Sequence, residues 1–218
     1  MVIETGAVGD RLRADARRNR ERILDAARAS FAEEGIDAGM SAIAERAGVG
    51  VGTLYRRFPT KDALVEALML DHMERIVAGG EATIRDEPDP WKAFVHYLRH
   101  LVELKSRDEG LAELFAGRVV ASDEIRGVRR RIEAQLRELI RRAQDAGELR
   151  KDVAMGDIGV LLSSVCSARW LHGDRGRQLN ERFLAVVVDG LRAPGTSPLP
   201  YRPATLPEIE RLVAASGQ

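Results

Sequence analysis

The stretch AIAERAGVGVGTLYRRFPTK, residues 42–61, decides how the rest of the chain is interpreted. It contains a short amphipathic segment, a glycine turn and a second short segment at 51–57 with hydroxyl and basic side chains. A helix-turn-helix needs this order of parts to place one helix in the major groove of DNA. Gly48 suits the positive φ of the turn, because it has no Cβ.

The predicted helix 51–57 has an inner and an outer face. Leu54 and Phe58 are four residues apart and are expected to pack against the core. The other face is then available to DNA, since hydroxyl, Lys and Arg groups bind phosphates and arginine also pairs bidentately with guanine. The predicted outer residues are Val51, Gly52, Thr53, Arg56 and Arg57, with Tyr55 between the faces and Lys61 beside the same phosphate backbone.

Two other interpretations of this stretch explain less. Ordinary packing of an Ala- and Gly-rich helix pair leaves the hydroxyl and basic side chains unexplained. A nucleotide-binding glycine loop would need G-x-G-x-x-G after a strand. Gly48-Val49-Gly50-Val51-Gly52 is followed by Thr53 and comes after a predicted helix, so it does not fit that motif.

The stretch IAERAGVGVGTLYRRFPTKDAL, residues 43–64, resembles the N-terminal signature of the TetR family of bacterial transcriptional regulators. The resemblance covers about residues 17–70. The segments GELRKDV (147–153) and SVCSARW (164–170) are similar to members with an SbtR-like C-terminal domain. The resemblance implies a ligand-responsive dimeric repressor that binds a palindromic operator in double-stranded DNA.

Roles for single residues follow from the same resemblance. Thr53, Tyr55 and Lys61 match phosphate-contacting positions, and Val51, Gly52 and Arg56 match positions that face bases. Arg57 stands where the family often has His or Tyr. The family usually has Thr at the start of the second helix, where this chain has Gly39-Met40. Ser41 is therefore expected to supply the phosphate-contacting hydroxyl there.

Charge and composition agree with this interpretation. The 218 residues have a formal net charge of zero, but residues 11–61 carry 11 Lys/Arg and 7 Asp/Glu, a local surplus of +4. The one cysteine, Cys166, fits a reducing compartment. The N-terminus lacks the apolar segment of a secretion signal, and no apolar run is long enough to span a bilayer. We therefore expect a cytoplasmic protein with no membrane contact.

Apolar periodicity predicts an all-α fold. Ile23, Ala27 and Phe31 recur every four residues in the first helix, and Thr60 is a suitable N-cap for the fourth. Gly79-Gly80 and the following prolines predict a break. The predicted helices are 16–34, 41–47, 51–57, 61–78, 90–106, 108–116, 122–146, 154–172 and 177–191.

Three regions are predicted. Residues 1–61 form an N-terminal arm and a three-helix DNA-binding domain, and residues 62–192 form a helical bundle for regulation and dimerisation. Residues 193–218 form a tail with five of the eight prolines, which either wraps the surface or is disordered.

The resemblance implies a homodimer through the last two helices, whose apolar surface exceeds what one helix pair can bury. The predicted interface residues are Val165, Phe183, Leu184, Val187, Val188 and Leu191. The alternative is that these helices are buried inside the monomer. A pocket for an unknown small-molecule effector is expected among the helices of 90–172. Its candidate wall residues are Trp91, Phe94, His96, Tyr97, His100, Phe115, Arg118, Cys166, Arg169 and Trp170.

A helical-bundle metal protein or enzyme is the main alternative of another class. His96 and His100 are spaced i, i+4, with Glu103 one turn further on. The chain has no H-E-x-x-H, and no histidine follows an acidic residue by three positions, as di-iron bundles require. We therefore expect no catalysis, no metal and no cofactor. A helical interaction module that does not bind DNA would leave the outer face of 51–57 unexplained.

Overall fold

Helices make up most of the protein. The computed structural model describes residues 5–107, 122–166, 173–193, 197–209 and 211. Within these ranges no strand is formed, and Leu149 and Arg192 make an isolated antiparallel bridge. The helices are α1 (Thr5–Glu34), α2 (Met40–Arg46), α3 (Val51–Arg57), α4 (Lys61–Asp86), α5 (Pro90–Arg107), α6 (Asp123–Asp145), α7 (Met155–Cys166) and α8 (Gly173–Leu191), with a 3-10 turn at Gly35–Asp37. The predicted all-α class is confirmed.

The described residues pack as two compact units. One contains residues 5–72 and 122–125, and the other contains residues 73–107, 126–166, 173–193 and the described part of the tail. The helix α4 therefore contributes residues to both. No helix of the described ranges is long and apolar enough to cross a bilayer.

The core of the first unit is built from α1 to α4. Ile23, Ala27 and Phe31 are buried on one face of α1, as their spacing predicted. Ile43 and Ala44 of α2 are fully buried against them. The small Ala44 leaves room for α3 to pass close by. This core fixes α2 and α3 relative to each other, which a DNA-reading helix pair requires.

Most predicted helices agree with the structure apart from their ends. The helix at 51–57 is the same in both, and Thr60 Oγ1 accepts a hydrogen bond from the Ala63 amide at 3.1 Å, as an N-cap does. The predicted helix 108–116 and residues 167–172 of the helix 154–172 lie outside the described residues.

The predicted break at Gly79-Gly80 is wrong, because α4 continues to Asp86. The two glycines let other helices of the second unit pack against the backbone of α4. A Cβ on Gly79 would lie 2.1 Å from His100 Nε2, and one on Gly80 would lie 2.3 Å from Gln135 Oε1. The glycine pair marks a close helix contact, which local turn signals do not distinguish from a break.

Gln135 organises the polar centre of this contact. Its side chain is 9% exposed, and its Nε2 donates to the Val77 carbonyl at 2.8 Å. The Tyr97 hydroxyl donates to Gln135 Oε1 at 3.4 Å. Burial raises the pKa of the Tyr97 hydroxyl well above its usual range, so the group stays a donor. Trp91, Phe94 and Leu98 fill the apolar core around it.

Candidate nucleic-acid interface

The turn between α2 and α3 has the geometry that its sequence predicted. Gly48 has a φ of +63°, which L-residues with a side chain rarely adopt. Arg22 of α1 holds the same turn from outside. Its guanidinium donates to the Ala47 carbonyl at 2.7 and 3.1 Å and to the Gly48 carbonyl at 2.7 Å. These carbonyls end α2, so a cation is well placed beside them.

The helix α3 presents one face to the core and one to solvent. Leu54 is fully buried and Phe58 is 5% exposed. Tyr55 is 45% exposed, so more of its ring is accessible than its predicted position between the faces implied. Thr53 is half-buried, and the remaining outer residues are exposed, namely Val51, Gly52, Arg56 and Arg57.

The basic residues of the first unit differ in what they already bind. Arg28 pairs with Asp71 at 2.9 Å, and Arg46 pairs with Glu33 at 2.5 Å. Arg56 and Arg57 make no ion pair within the described ranges, and α3 contains no acidic residue. Two cations on this face are therefore available to phosphates or to a guanine edge.

The other two predicted contact residues flank this face. Ser41 is exposed in the first turn of α2. Lys61 begins α4, and its Nζ donates to the Ile36 carbonyl at 2.7 Å. An ammonium group has three donors, so Lys61 can keep this bond and contact a phosphate at the same time.

Two positioning contacts in this unit were not predicted from the sequence. Arg46 anchors α2 to α1 through Glu33, and its hydrogen bond holds the pKa of the Glu33 carboxyl below its usual value. Arg22 anchors the turn. Each partner is at least 13 residues away in sequence. A charged residue on the polar side of α1 gives no sign of such a partner, so only the tertiary structure could identify these contacts.

The predicted effector-pocket residues do not form one cavity wall in the described part of the chain. Trp91, Phe94 and Tyr97 are buried in the core of the second unit, at 8%, 0% and 0% exposure. His96 is half-exposed with its Nδ1 3.8 Å from Glu87, and His100 packs against Gly79 and the Arg75 carbonyl. The other predicted wall residues lie outside the described side chains, namely Phe115, Arg118, Cys166, Arg169 and Trp170.

A cavity of about 1050 Å³ lies instead between α5 and α8. Among the described residues, its wall combines two arginines, three carboxylates, two amides and two apolar side chains, which are Arg99, Val102, Glu103, Asp174, Arg177, Gln178, Asn180, Glu181 and Leu184. Most of these residues are charged, and in sequence such a pattern is typical of a helix face exposed to solvent. The cavity that they line depends on the packing of α5 beside α8, which the sequence pattern does not give.

The predicted dimer residues divide between the two faces of α7 and α8. Val165, Leu184 and Leu191 are buried in the core of their own unit. Val187 and Val188 are half-buried against the same core. Phe183 is 39% exposed. Two outward valines were not among the predicted interface residues, Val160 and Val186, which are 46% and 68% exposed.

The histidine pair does not form a metal site in the described part of the chain. His96 and His100 contact different partners, and these ranges contain no group of three or more His, Cys, Asp or Glu side chains that could hold a metal ion. The metal-binding or enzymatic alternative is not favoured.

Two family models match the chain. The model of the bacterial regulatory proteins of the tetR family matches residues 23–68. The model of the C-terminal domain of SbtR-like transcriptional regulators matches residues 89–193. The first contains α2 and α3, and the second contains the helices that line the cavity between α5 and α8.

Individual relatives are similar over different lengths. The transcriptional regulator UidR of Escherichia coli is 35% identical over 95 residues, which are 43% of this chain and less than half, 44%, of UidR. The transcriptional activator FasR of Mycolicibacterium smegmatis is 31% identical over 180 residues, 77% of this chain and 78% of FasR. The crystal structure of a TetR regulatory protein from Mycobacterium vanbaalenii is 39% identical, with a TM-score of 0.63 over 84% of this chain and 99% of that one.

Proposed function

Because the chain belongs to the TetR family of bacterial regulatory proteins, we propose that it is a transcriptional regulator that reads an operator with α3. The observation that carries this proposal is the outer face of α3, on which Arg56 and Arg57 are exposed beside Thr53 and Tyr55. Arg56 reads a base edge together with Val51 and Gly52. The phosphate contacts come from Ser41, Thr53, Tyr55, Arg57 and Lys61.

A salt titration tests the DNA contact. Each lost phosphate contact lowers the slope of log affinity against log salt by about one. Arg57→Ala and Lys61→Ala should each flatten this slope on the protein's own upstream DNA. Arg141→Ala is the matched control, because that exposed arginine pairs with Glu138 and Asp145 on α6. Unchanged slopes in both test variants would refute the contact assignment.

Base reading is tested separately from phosphate binding. Arg56→Ala should lower the affinity for the operator by about 1–3 kcal/mol and leave the affinity for unrelated DNA nearly unchanged. An equal loss on both DNAs would place Arg56 on a phosphate.

We propose that the regulator acts as a homodimer. A near-palindromic operator is read by two recognition helices that lie one helical turn apart on the same side of the DNA. This arrangement requires two copies of the chain related by a two-fold axis. The exposed apolar side chains of Phe183 and Val186 on α8 and of Val160 on α7 support this assembly. Since its operator is on the bacterial chromosome, we place the protein in the cytoplasm.

We propose that the effector binds between α5 and α8. The cavity there already has the size of a small-molecule site, about 1050 Å³. A pocket among Trp91, Phe94 and Tyr97 would first have to open the core. Effector binding shifts the population toward a spacing of the two reading helices that no longer fits adjacent major grooves.

The regulator acts as a repressor that the effector releases. Deletion of its gene should raise transcription from its own upstream region. A saturating effector should give the same rise in the wild type and lower operator affinity in vitro. A fall in transcription after deletion would instead identify an activator.

A further inference from the structure

A segment after α8 is fastened to the second unit. We call residues 197–209 the strap. Its start is held by an ion pair in the segment before α7, where Arg150 Nε lies 2.6 Å from Asp152 Oδ1. Arg150 Nη2 donates to the Ser197 carbonyl at 2.7 Å, and the Leu199 amide donates to Asp152 Oδ2 at 3.0 Å. The strap therefore leaves α8 along a defined path.

Contacts within the strap itself brace its far end. Arg202 Nη2 lies 2.5 Å from Glu208 Oε1, and the Thr205 amide donates to Glu208 Oε2 at 2.9 Å. Between these contacts the strap backbone lies directly against α7. A Cβ on Gly156 would be 2.1 Å from the Ala204 carbonyl oxygen, so only glycine permits this approach.

Tyr201 lies between the fastening at Asp152 and the internal contacts of the strap, and it projects into solvent. It is 95% exposed, more than any other large hydrophobic side chain that the structure describes. Its φ is +63°, a left-handed conformation that costs free energy for a residue with a Cβ. The fold thus holds an exposed aromatic side chain on a strained, well-anchored bend.

A mainly apolar groove lies beside the strap. It has a volume of about 540 Å³ and is formed by the strap, α7, α8 and residues 150–153. The described residues of its wall include two charged ones, and both already have partners, since Arg150 binds Asp152 and Asp157 accepts from the Ala154 amide at 2.8 Å. The apolar and glycine wall consists of Val153, Gly156, Val160, Leu161, Val187, Gly190, Leu191, Leu199, Ala204 and Ile209.

The groove is continuous with the exposed apolar face of α8. Phe183, Val186 and Gly190 follow one another at helical spacing on this face, and a Cβ on Gly190 would meet no atom within 4 Å. Gly190 therefore borders open space in the groove. Leu199, two residues before Tyr201, forms the strap side of the wall.

We propose that Tyr201 of each chain docks into this groove on a second copy of the chain. A two-fold interface must carry a protrusion and its complementary recess on the same face. This face has both, because the strap holds Tyr201 and also forms one wall of the recess. The inference rests on the proposed dimer and adds the strap to its interface. Tyrosine is well suited to this role, since it buries a large ring at low entropic cost.

Sedimentation equilibrium of the full chain tests the docking. Tyr201→Ala removes the protrusion, and Gly190→Leu fills the recess from a position where a Cβ meets no atom within 4 Å. Each should raise the dimer Kd about tenfold or more, as at an interface hot spot. Tyr201→Phe keeps the ring and should restore dimerisation to within about threefold of wild type. Gly127→Leu on α6, where a Cβ also meets nothing within 4 Å, is the matched control and should leave the dimer Kd unchanged.

The double variant Tyr201→Ala/Gly190→Leu gives the sharper result. If protrusion and recess form one contact, the double variant weakens the dimer no more than the stronger single change. Full additivity, or an intact dimer with unchanged Kd in both single variants, would overturn the docking and leave the proposed dimer standing. A wild-type chain that is monomeric at all concentrations would overturn both.

A small apolar ligand is the other occupant that the experiment can detect. The fluorescent probe 1-anilinonaphthalene-8-sulfonate should not bind the groove of the wild-type dimer, because Tyr201 fills it. The opposite result would be that the probe binds the wild-type dimer, and that Gly190→Leu abolishes this binding but leaves the dimer Kd unchanged. It would overturn the docking in favour of a ligand site.

Discussion

At the residue scale, the contact of Arg22 with the turn before α3 should contribute measurably to stability. One guanidinium makes three hydrogen bonds to the carbonyls of Ala47 and Gly48 at the turn before α3. Arg22→Ala leaves these helix-end carbonyls to water and should lower the free energy of unfolding by about 1–2 kcal/mol. Urea denaturation followed by circular dichroism measures the loss.

The control for Arg22 is another arginine of α1. Arg17 is 81% exposed and pairs with Glu21 one turn away, so Arg17→Ala should change the free energy of unfolding by less than about 0.5 kcal/mol. Equal effects of the two substitutions would mean that the bonds of Arg22 to the turn contribute nothing specific.

The residues of α3 show what sequence alone can predict. Leu54 and Phe58 are inside and Arg56 and Arg57 are outside, because a helix of known period allows only one arrangement of this pattern. The partners of Arg22 could not be predicted, since they depend on how α1 crosses the turn. Local periodicity fixes which way a side chain points, and tertiary packing decides what it meets.

At the element scale, the close contact of α4 depends on Gly80. A Cβ there would lie 2.3 Å from Gln135 Oε1 and 2.9 Å from Tyr97 Cε2. Gln135 cannot move aside freely, because its amide also donates to the Val77 carbonyl. Gly80→Ala should therefore lower the free energy of unfolding by about 1–3 kcal/mol despite the better helix propensity of alanine.

Gly127 of α6 is the matched control. A Cβ at Gly127 meets nothing within 4 Å, so Gly127→Ala should gain up to about 1 kcal/mol from helix propensity alone. Opposite signs for the two substitutions are expected in the same urea denaturation experiment. A stabilising Gly80→Ala would show that the helices of the second unit are not packed this closely.

The same glycines explain the error in the predicted end of α4. Two adjacent glycines are a break signal in sequence, because they lack intrinsic helix propensity. In the structure, the close packing of α5 and α6 against these glycines offsets their low helix propensity. For α8, apolar residues occur on both faces, so the pattern could not separate the buried Leu184 from the exposed Val186.

The strap makes a separate prediction at this scale. Hydrogen bonds from Arg150 and the Leu199 amide hold the pKa of the Asp152 carboxyl well below its usual value of about 3.9. Because the pKa of Asp152 is lowered in the folded protein, its carboxylate stabilises the attachment at any pH above the pKa of the unfolded chain. This contribution is lost as the pH falls through the lowered pKa of the folded protein. The strap should stay attached throughout the neutral range.

Asp152→Asn should release the strap at neutral pH, because an amide does not replace the carboxylate that pairs with Arg150. Chymotrypsin should then cleave after Tyr201 faster than in the wild type. Asp145→Asn, which disrupts only an exposed pair with Arg141, should leave the cleavage rate unchanged. An equal rate in all three proteins would show that Asp152 does not fasten the strap.

At the scale of the whole molecule, charge distribution matters more than total charge. The chain is neutral as a whole, and residues 11–61 carry a local surplus of +4. Non-specific attraction to DNA grows with the number of phosphates neutralised, so a small local surplus gives a shallow salt dependence. Specific affinity must then come from a few contacts of α3 made twice, once by each chain of the dimer.

This requirement makes the spacing of the two half-sites decisive. Inserting 5 bp between the half-sites of the operator turns one of them by about half a helical turn, to the far side of the duplex. Only one α3 can then bind, and affinity should fall to that of an isolated half-site, as measured by fluorescence anisotropy. Replacing 5 bp between the half-sites at constant length is the control and should preserve most of the affinity. Undiminished binding to the lengthened operator would mean that the two reading helices act independently, because a dimer with fixed spacing cannot follow a half-site to the opposite side of the DNA.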